Sequence, residues 1–377
     1  MSSLNQPKRK KEIENIIVHS WASYCEEHGN SEDENRLSAV DHEFFFGDST
    51  DIFSGNADLT ESLRCGFQGR TEKFTLLEWI DKKSTDTEAY IAQSEDKKKV
   101  VFSIRGSESL RDWTMNAQTW QTRWEPKVDG DSAGCCSCLD CLLPTNGKPM
   151  VHLGFYKIFL KLRKYVETTL VDLCKAGDVE EVIFAGHSLG GAVATLCFSH
   201  FIQIPFGLTL SVRKIKATLG TVGSPRVGDD VFVSKLLERK QALATGNCCE
   251  IIRVVNSKDV VPTIPARVQG YKHVGRPVYF EISDDDDDKI FFYAEESKND
   301  YDENENDEKL LTAAGISQKS DLTKSKQALP QGGDYNNLLE GMSYHKPVTY
   351  LKCVTKATPK SGLKAEDVEI VTNEILR

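Results

Sequence analysis

The sequence predicts an α/β fold, with a mostly parallel central sheet flanked by helices, and three observations predict it. Short apolar runs recur at 100–104 (VVFSI), 181–185 (EVIFA), 217–222 (ATLGTV) and 251–255 (IIRVV). Each is bounded by turn or polar residues and is apolar almost throughout, as expected of strands covered on both faces. Between them lie helical stripes. The clearest runs over 154–175, where Phe155, Ile158, Phe159, Leu162, Tyr165, Val166, Leu170 and Leu173 return every three or four residues. Strand, helix and strand repeated in this order favour parallel pairing with right-handed crossovers.

Taken in order, the first 98 residues carry mixed signals: a helix over 13–24 and strand material over 74–80 and 89–93. The strand at 100–104 ends at Arg105-Gly106. The helix over 154–175 stops at Gly177-Asp178, and further helices are expected over 189–204 and 229–240. The span 283–333 contains DDDDD and KNDYDENENDEK. Such like-charge density buries too little apolar surface to offset chain entropy, so a disordered acidic insertion is expected. It lacks the spacing of an EF-hand calcium loop. Helices are expected again over 345–354 and 366–376. The resulting division is an N-terminal helical or extended region at 1–66, a main domain at 67–355 interrupted at 129–149 and 283–333, and a tail at 356–377.

Composition narrows the function classes. The chain has 377 residues, 39% of them hydrophobic and 28% charged, with a formal charge of −10. A basic stripe for nucleic acid is missing from this pattern. The cluster Lys8 to Lys11 reads as a solvated start. No apolar core follows it to make a secretory signal, and no run is long enough to span a bilayer. A cytoplasmic protein is therefore expected, one that meets lipid from the surface if at all. Most of the 11 cysteines should then be reduced, Cys174 and Cys197 as buried thiols.

The strongest chemical signal is Gly186-His187-Ser188-Leu189-Gly190. It fits G-x-S-x-G and falls between a predicted strand and a predicted helix. The glycines allow a sharp, strained turn that exposes the serine hydroxyl, and the helix beginning there brings free N–H groups to the reacting centre. A serine hydroxyl needs a neighbouring base, usually a histidine held in one tautomer by a carboxylate. In the order serine, acid, histidine, both partners follow Ser188. Asp259 leaves the sheet edge after IIRVV, whereas Asp229 and Asp230 sit where a helix cap suffices to explain them. Of the later histidines, His200 falls within a helix, and spacing does not separate His273 from His345. Ser107, after an earlier strand, and Leu189 are placed to offer backbone N–H groups to an oxyanion; losing one such donor costs about 3 kcal/mol. Leu110 and Trp113 mark a short amphipathic segment, read either as a surface helix or as a lid.

Motifs at 102–113 (FSIRGSESLRDW), 151–156 (VHLGFY), 186–194 (GHSLGGAVA), 221–229 (TVGSPRVGD), 256–265 (NSKDVVPTIP), 271–275 (YKHVG) and 345–351 (HKPVTYL) appear in one order. On these the chain resembles the fungal-type, or class 3, lipase family, with its α/β-hydrolase fold. The resemblance implies a serine lipase or esterase acting on tri-, di- or monoacylglycerol without a cofactor or metal. It makes Ser188 the nucleophile, Asp259 the orienting acid, His345 rather than His273 the base, Ser107 the oxyanion residue, and the segment around Trp113 the lid. A lipid or acyl-ester substrate is the expected partner, reached at a membrane or lipid-droplet surface. Phospholipase A1-type activity and a catalytically silent scaffold are the rival readings. The cluster Cys135, Cys136, Cys138 and Cys141 departs from the pattern. A reduced loop, S-acylation and a metal site all remain open for it.

Overall fold

The computed structural model describes residues 7–24, 74–82, 87–106, 120–125, 147–203, 215–243, 249–283, 290–293 and 344–359. Among them one sheet has nine strands. It runs β1 (Phe74–Lys82), β2 (Thr87–Ser94), β3 (Lys99–Ile104), β6 (Glu181–His187), β7 (Lys216–Val222), β8 (Cys249–Asn256), β9 (Pro277–Ile282), β10 (Ile290–Tyr293) and β11 (Thr358–Pro359). A separate hairpin-like pair, β4 (Gln121–Arg123) and β5 (Met150–His152), lies outside it. The pairs from β3 through β9 are parallel, and β1–β2, β2–β3 and β9–β10 are antiparallel. The expected mostly parallel α/β architecture is what forms.

Side chains alternating along β6 divide the core. Val182 and Phe184 face a cluster built with α2 (Leu153–Tyr165) and α4 (Leu189–Gln203), which contributes Phe155, Phe159, Ala192, Leu196 and Phe198. Ile183 and Ala185 face the opposite side. There α1 (Pro7–Ala22) and α6 (Pro347–Lys356) pack Ile13, Ile16, Ile17, Trp21, Tyr350 and Leu351 against β7, β8 and β9. Contact between α1 and β7 is close enough that a Cβ on Gly220 would lie 2.6 Å from Ile16. The N-terminal helix Pro7–Ala22 thus packs directly on the central sheet.

Four expectations are corrected. The helix over 154–175 is not regular throughout, because a π-helical turn (Val166–Leu170) separates α2 from α3 (Val171–Ala176). The turn faces Glu167 towards buried His200, with Glu167 Oε1 2.8 Å from His200 Nε2. The acidic insertion is interrupted, since Ile290–Tyr293 pairs antiparallel with β9. An apolar IFFY run can complete an open sheet edge whatever the charge beside it. The tail also contributes, because Thr358 and Pro359 pair parallel with Phe291 and Phe292. Finally, α6 begins at Pro347 rather than His345; a proline at the first helical position lacks only an N–H that would have no intrahelical acceptor. Asp229, expected as a cap, does cap α5 (Asp230–Ala242), accepting from Phe232 N at 2.8 Å. No helix among the described residues is long and apolar enough to cross a membrane.

Candidate active site

The site forms at the C-terminal edge of the parallel strands, where open α/β sheets gather ligand-binding loops. Ser188 follows β6 directly and adopts φ +58°, the left-handed region that a non-glycine residue occupies only when its surroundings enforce it. Several contacts enforce it. Ser188 N donates to Val222 O at 2.9 Å, and its own carbonyl accepts from Gly191 N at 2.9 Å, starting α4. The flanking glycines are required by space: a Cβ on Gly186 would lie 2.4 Å from the Gly190 carbonyl carbon, and one on Gly190 would lie 2.0 Å from Ile104 O. Leu189 opens α4, so its N–H belongs to the first turn, where helices have no internal acceptor.

The turn does not expose its hydroxyl as the motif led us to expect. Ser188 is fully buried. A Cβ on Gly106 would lie 3.1 Å from Ser188 Cβ and 2.1 Å from Tyr24 Oη, so the turn after β3 packs directly beside the serine.

Asp259 leaves β8 through a short turn and is also fully buried. Its Oδ1 accepts from Val261 N at 2.9 Å. Its Oδ2 lies 2.7 Å from His345 Nδ1 and accepts from the Tyr350 hydroxyl. Burial first, and then the Asp259 charge, hold the Tyr350 phenol well above its ordinary range, so it stays a donor. Gly223, with φ +56°, makes room for this group. A Cβ there would meet Asp259 Oδ2 at 2.8 Å, Tyr350 Oη at 2.9 Å and His345 Cε1 at 3.0 Å.

Ser188 Oγ and His345 Nε2 are both buried, and neither has a hydrogen-bond partner among the described residues, so the two are not bonded to each other here. Other orphaned atoms, such as Trp21 Nε1 and Trp124 Nε1, lie elsewhere in the fold. An orphaned buried polar group is costly, and it persists where a reaction uses it. Because Asp259 receives the proton of Nδ1, the neutral imidazole keeps Nε2 as its acceptor.

The other candidates separate. His273 points its Nε2 at Pro262 O, 2.7 Å away, and burial pushes its basicity well down. His200 is a buried packing residue against Phe159. His345 is therefore the histidine that meets Asp259. Ser107, Leu110, Trp113 and the cysteines 135, 136, 138 and 141 lie outside the described residues.

Sequence reasoning missed three groups. His187 donates from Nε2 to His345 O at 2.6 Å and meets Tyr24 Oη at 2.7 Å through Nδ1. Asn256 donates to Tyr344 O at 3.1 Å. His187 and Asn256 stood inside quoted motifs, but nothing in the sequence singled out Tyr24.

Comparison with known proteins points to the family that the motifs resemble. The family described as lipase (class 3) matches residues 101–269. Among curated relatives, a lipase of Rhizomucor miehei is 30% identical over 190 residues, covering 50% of this chain and 44% of its own. Secreted mono- and diacylglycerol lipase 1 of Fusarium solani is 29% identical over 192 residues, covering 51% and 46%. The chain thus spans under half the length of both. A solved lipase from Rhizopus microsporus var. chinensis aligns over 73% of this chain and 75% of its own, at 21% identity and a TM-score of 0.48. The match to the class 3 lipase family spans residues 101–269, which include the nucleophile-type turn after β6 and Asp259.

Proposed function

We propose that the protein is a serine esterase that hydrolyses acyl esters of glycerolipids. The observation that carries the reading is the pair of orphaned atoms, Ser188 Oγ and His345 Nε2, beside an imidazole whose other nitrogen is 2.7 Å from Asp259. In this reading His345 Nε2 takes the Ser188 proton as Oγ attacks the acyl carbonyl. The oxyanion receives N–H groups from Leu189 and Ser107. As the tetrahedral species collapses, the alcohol leaves with the proton from His345, and an acyl-Ser188 ester remains. Water, deprotonated by the same nitrogen, then attacks the ester and releases the fatty acid. The Asp259 carboxylate, hydrogen-bonded to Nδ1, offsets the transient imidazolium charge. All of these steps use groups of the chain and water.

The family and the names of the relatives support a tri-, di- or monoacylglycerol substrate. Leu110 and Trp113 are proposed to form a lid that opens at a lipid surface, on a membrane or droplet. Their assignment rests on the resemblance. A cytosolic setting is the reading we favour, in keeping with the buried thiols of Cys197 and Cys353.

A fluorophosphonate probe tests the nucleophile. Wild type should be labelled at Ser188, and Ser188→Ala should lose both labelling and about 10⁴-fold or more of short-ester hydrolysis. Retained hydrolysis in Ser188→Ala would sink the reading, and an unlabelled, inactive but folded wild type would favour the silent scaffold. A lipid panel run above and below the aggregation threshold distinguishes acylglycerols from phospholipids, the second outcome indicating phospholipase A1-type activity.

A further inference from the structure

We propose that the N-terminal segment positions the base: Tyr24, acting through His187, and Asn256, acting directly, hold the backbone that carries His345. The inference rests on the triad reading above and assigns work to residues outside the triad.

The direction of each hydrogen bond follows from the acceptors. His345 O can only accept, so His187 Nε2, 2.6 Å away, carries the ring proton. Nδ1 of the same ring is then an acceptor, and the Tyr24 hydroxyl, at 2.7 Å, donates to it. Both roles require a neutral ring. Burial, followed by the neighbouring His345, holds His187 well below the ordinary histidine range. The two imidazoles lie face to face, with centroids 4.4 Å apart and planes tilted by 36°. On the other side, Asn256 Nδ2 donates to Tyr344 O at 3.1 Å, and its Oδ1 accepts from Lys258 N at 3.0 Å. Both ends of this fully buried amide are therefore used.

Two consecutive carbonyls, of Tyr344 and His345, are thus gripped by side chains from the ends of β6 and β8. Those strands also deliver Ser188 and Asp259. The base needs such a grip because no strand among the described residues delivers it. Residues 294–343 separate it from β10, so its place is set by what holds it on arrival. Tyr24 is the last link, and it fixes which way the His187 ring presents its proton. An error of about 1 Å in a reacting group costs about 100-fold in rate.

The test compares Tyr24→Phe, His187→Leu and His187→Gln with wild type, using a soluble short-chain ester, fluorophosphonate labelling and thermal midpoints. Tyr24→Phe keeps the ring and removes one donor. We expect kcat to fall about 10-fold, with KM within about twofold and the midpoint nearly unchanged. His187→Leu should lose about 100-fold in kcat, and His187→Gln, whose amide can still donate to the His345 carbonyl, should recover much of that. The inference is overturned if Tyr24→Phe retains wild-type kcat, or if the glutamine variant is no better than the leucine. A wild type that neither labels nor hydrolyses would overturn the triad reading itself. A labelled, active wild type beside an unaffected Tyr24→Phe overturns this inference alone.

Discussion

The same parallel strands end in two polar clusters of opposite character. At their N-terminal edge, Glu250 on β8 is bridged to Arg9 of α1 and lies 2.5 Å from Lys216 of β7. Lys216 also lies 3.3 Å from Glu181 of β6, which accepts from Thr218 at 2.6 Å. Lys98 and Glu180 meet at 2.6 Å nearby. Each of these charges faces an opposite one. At the C-terminal edge, Ser188 Oγ and His345 Nε2 are buried without partners among the described residues. Satisfied charges stabilise a fold and have no capacity left for a reactant; unsatisfied donors and acceptors do the reverse. Polarity alone does not mark the candidate working edge; unpartnered atoms beside the His345–Asp259 contact do.

Substitutions at the two edges should therefore differ in what they change. The largest effect is expected at Asp259→Asn, which keeps the shape but favours the wrong imidazole tautomer. It should lower kcat by about 10⁴-fold with little change in melting, checked by steady-state kinetics and calorimetry. Gly223→Ala comes next. Its Cβ would fall within 3.0 Å of Asp259, Tyr350 and His345, at a φ that also disfavours it. We expect about a 100-fold loss in kcat, and a fully active alanine variant would show that the three side chains can yield.

At the opposite edge the readout changes to stability. Burial raises the Glu250 carboxyl, but Arg9 and Lys216 outweigh it and hold the group below its ordinary value. A depressed folded value stabilises fully above the unfolded glutamate range, and that contribution is lost as pH falls through the folded value. Glu250→Gln should thus cost about 1–3 kcal/mol near pH 7. The gap to wild type should close as pH drops below the ordinary glutamate range, with kcat/KM unchanged throughout; urea melts at several pH values check this. Smallest of all is Lys98→Ala. Its pair with Glu180 is exposed at both ends, and neither the urea midpoint nor the kinetics should move measurably.

The contrast also explains what could be read from the sequence. Ser188 and Asp259 were legible because each leaves a strand whose apolar run announces itself, and a turn of that shape demands glycines at fixed spacing. Spacing could not choose between His273 and His345, because neither leaves such a strand. The resemblance chose His345, and the contact with Asp259 brings that ring to the site. Tyr24 was illegible because its role depends on how α1 crosses the sheet, a tertiary fact with no local pattern. Strand β10 was hidden for the reverse reason: four apolar residues among so many acids look like noise until an edge is available to receive them. The lid, the second oxyanion donor and the cysteine cluster fall on residues the structure does not describe.

Strands β10 and β11 pair with each other directly, so the chain is moored to the sheet both before residue 294 and after α6. The base arrives between two fixed attachment points rather than at the end of a free arm.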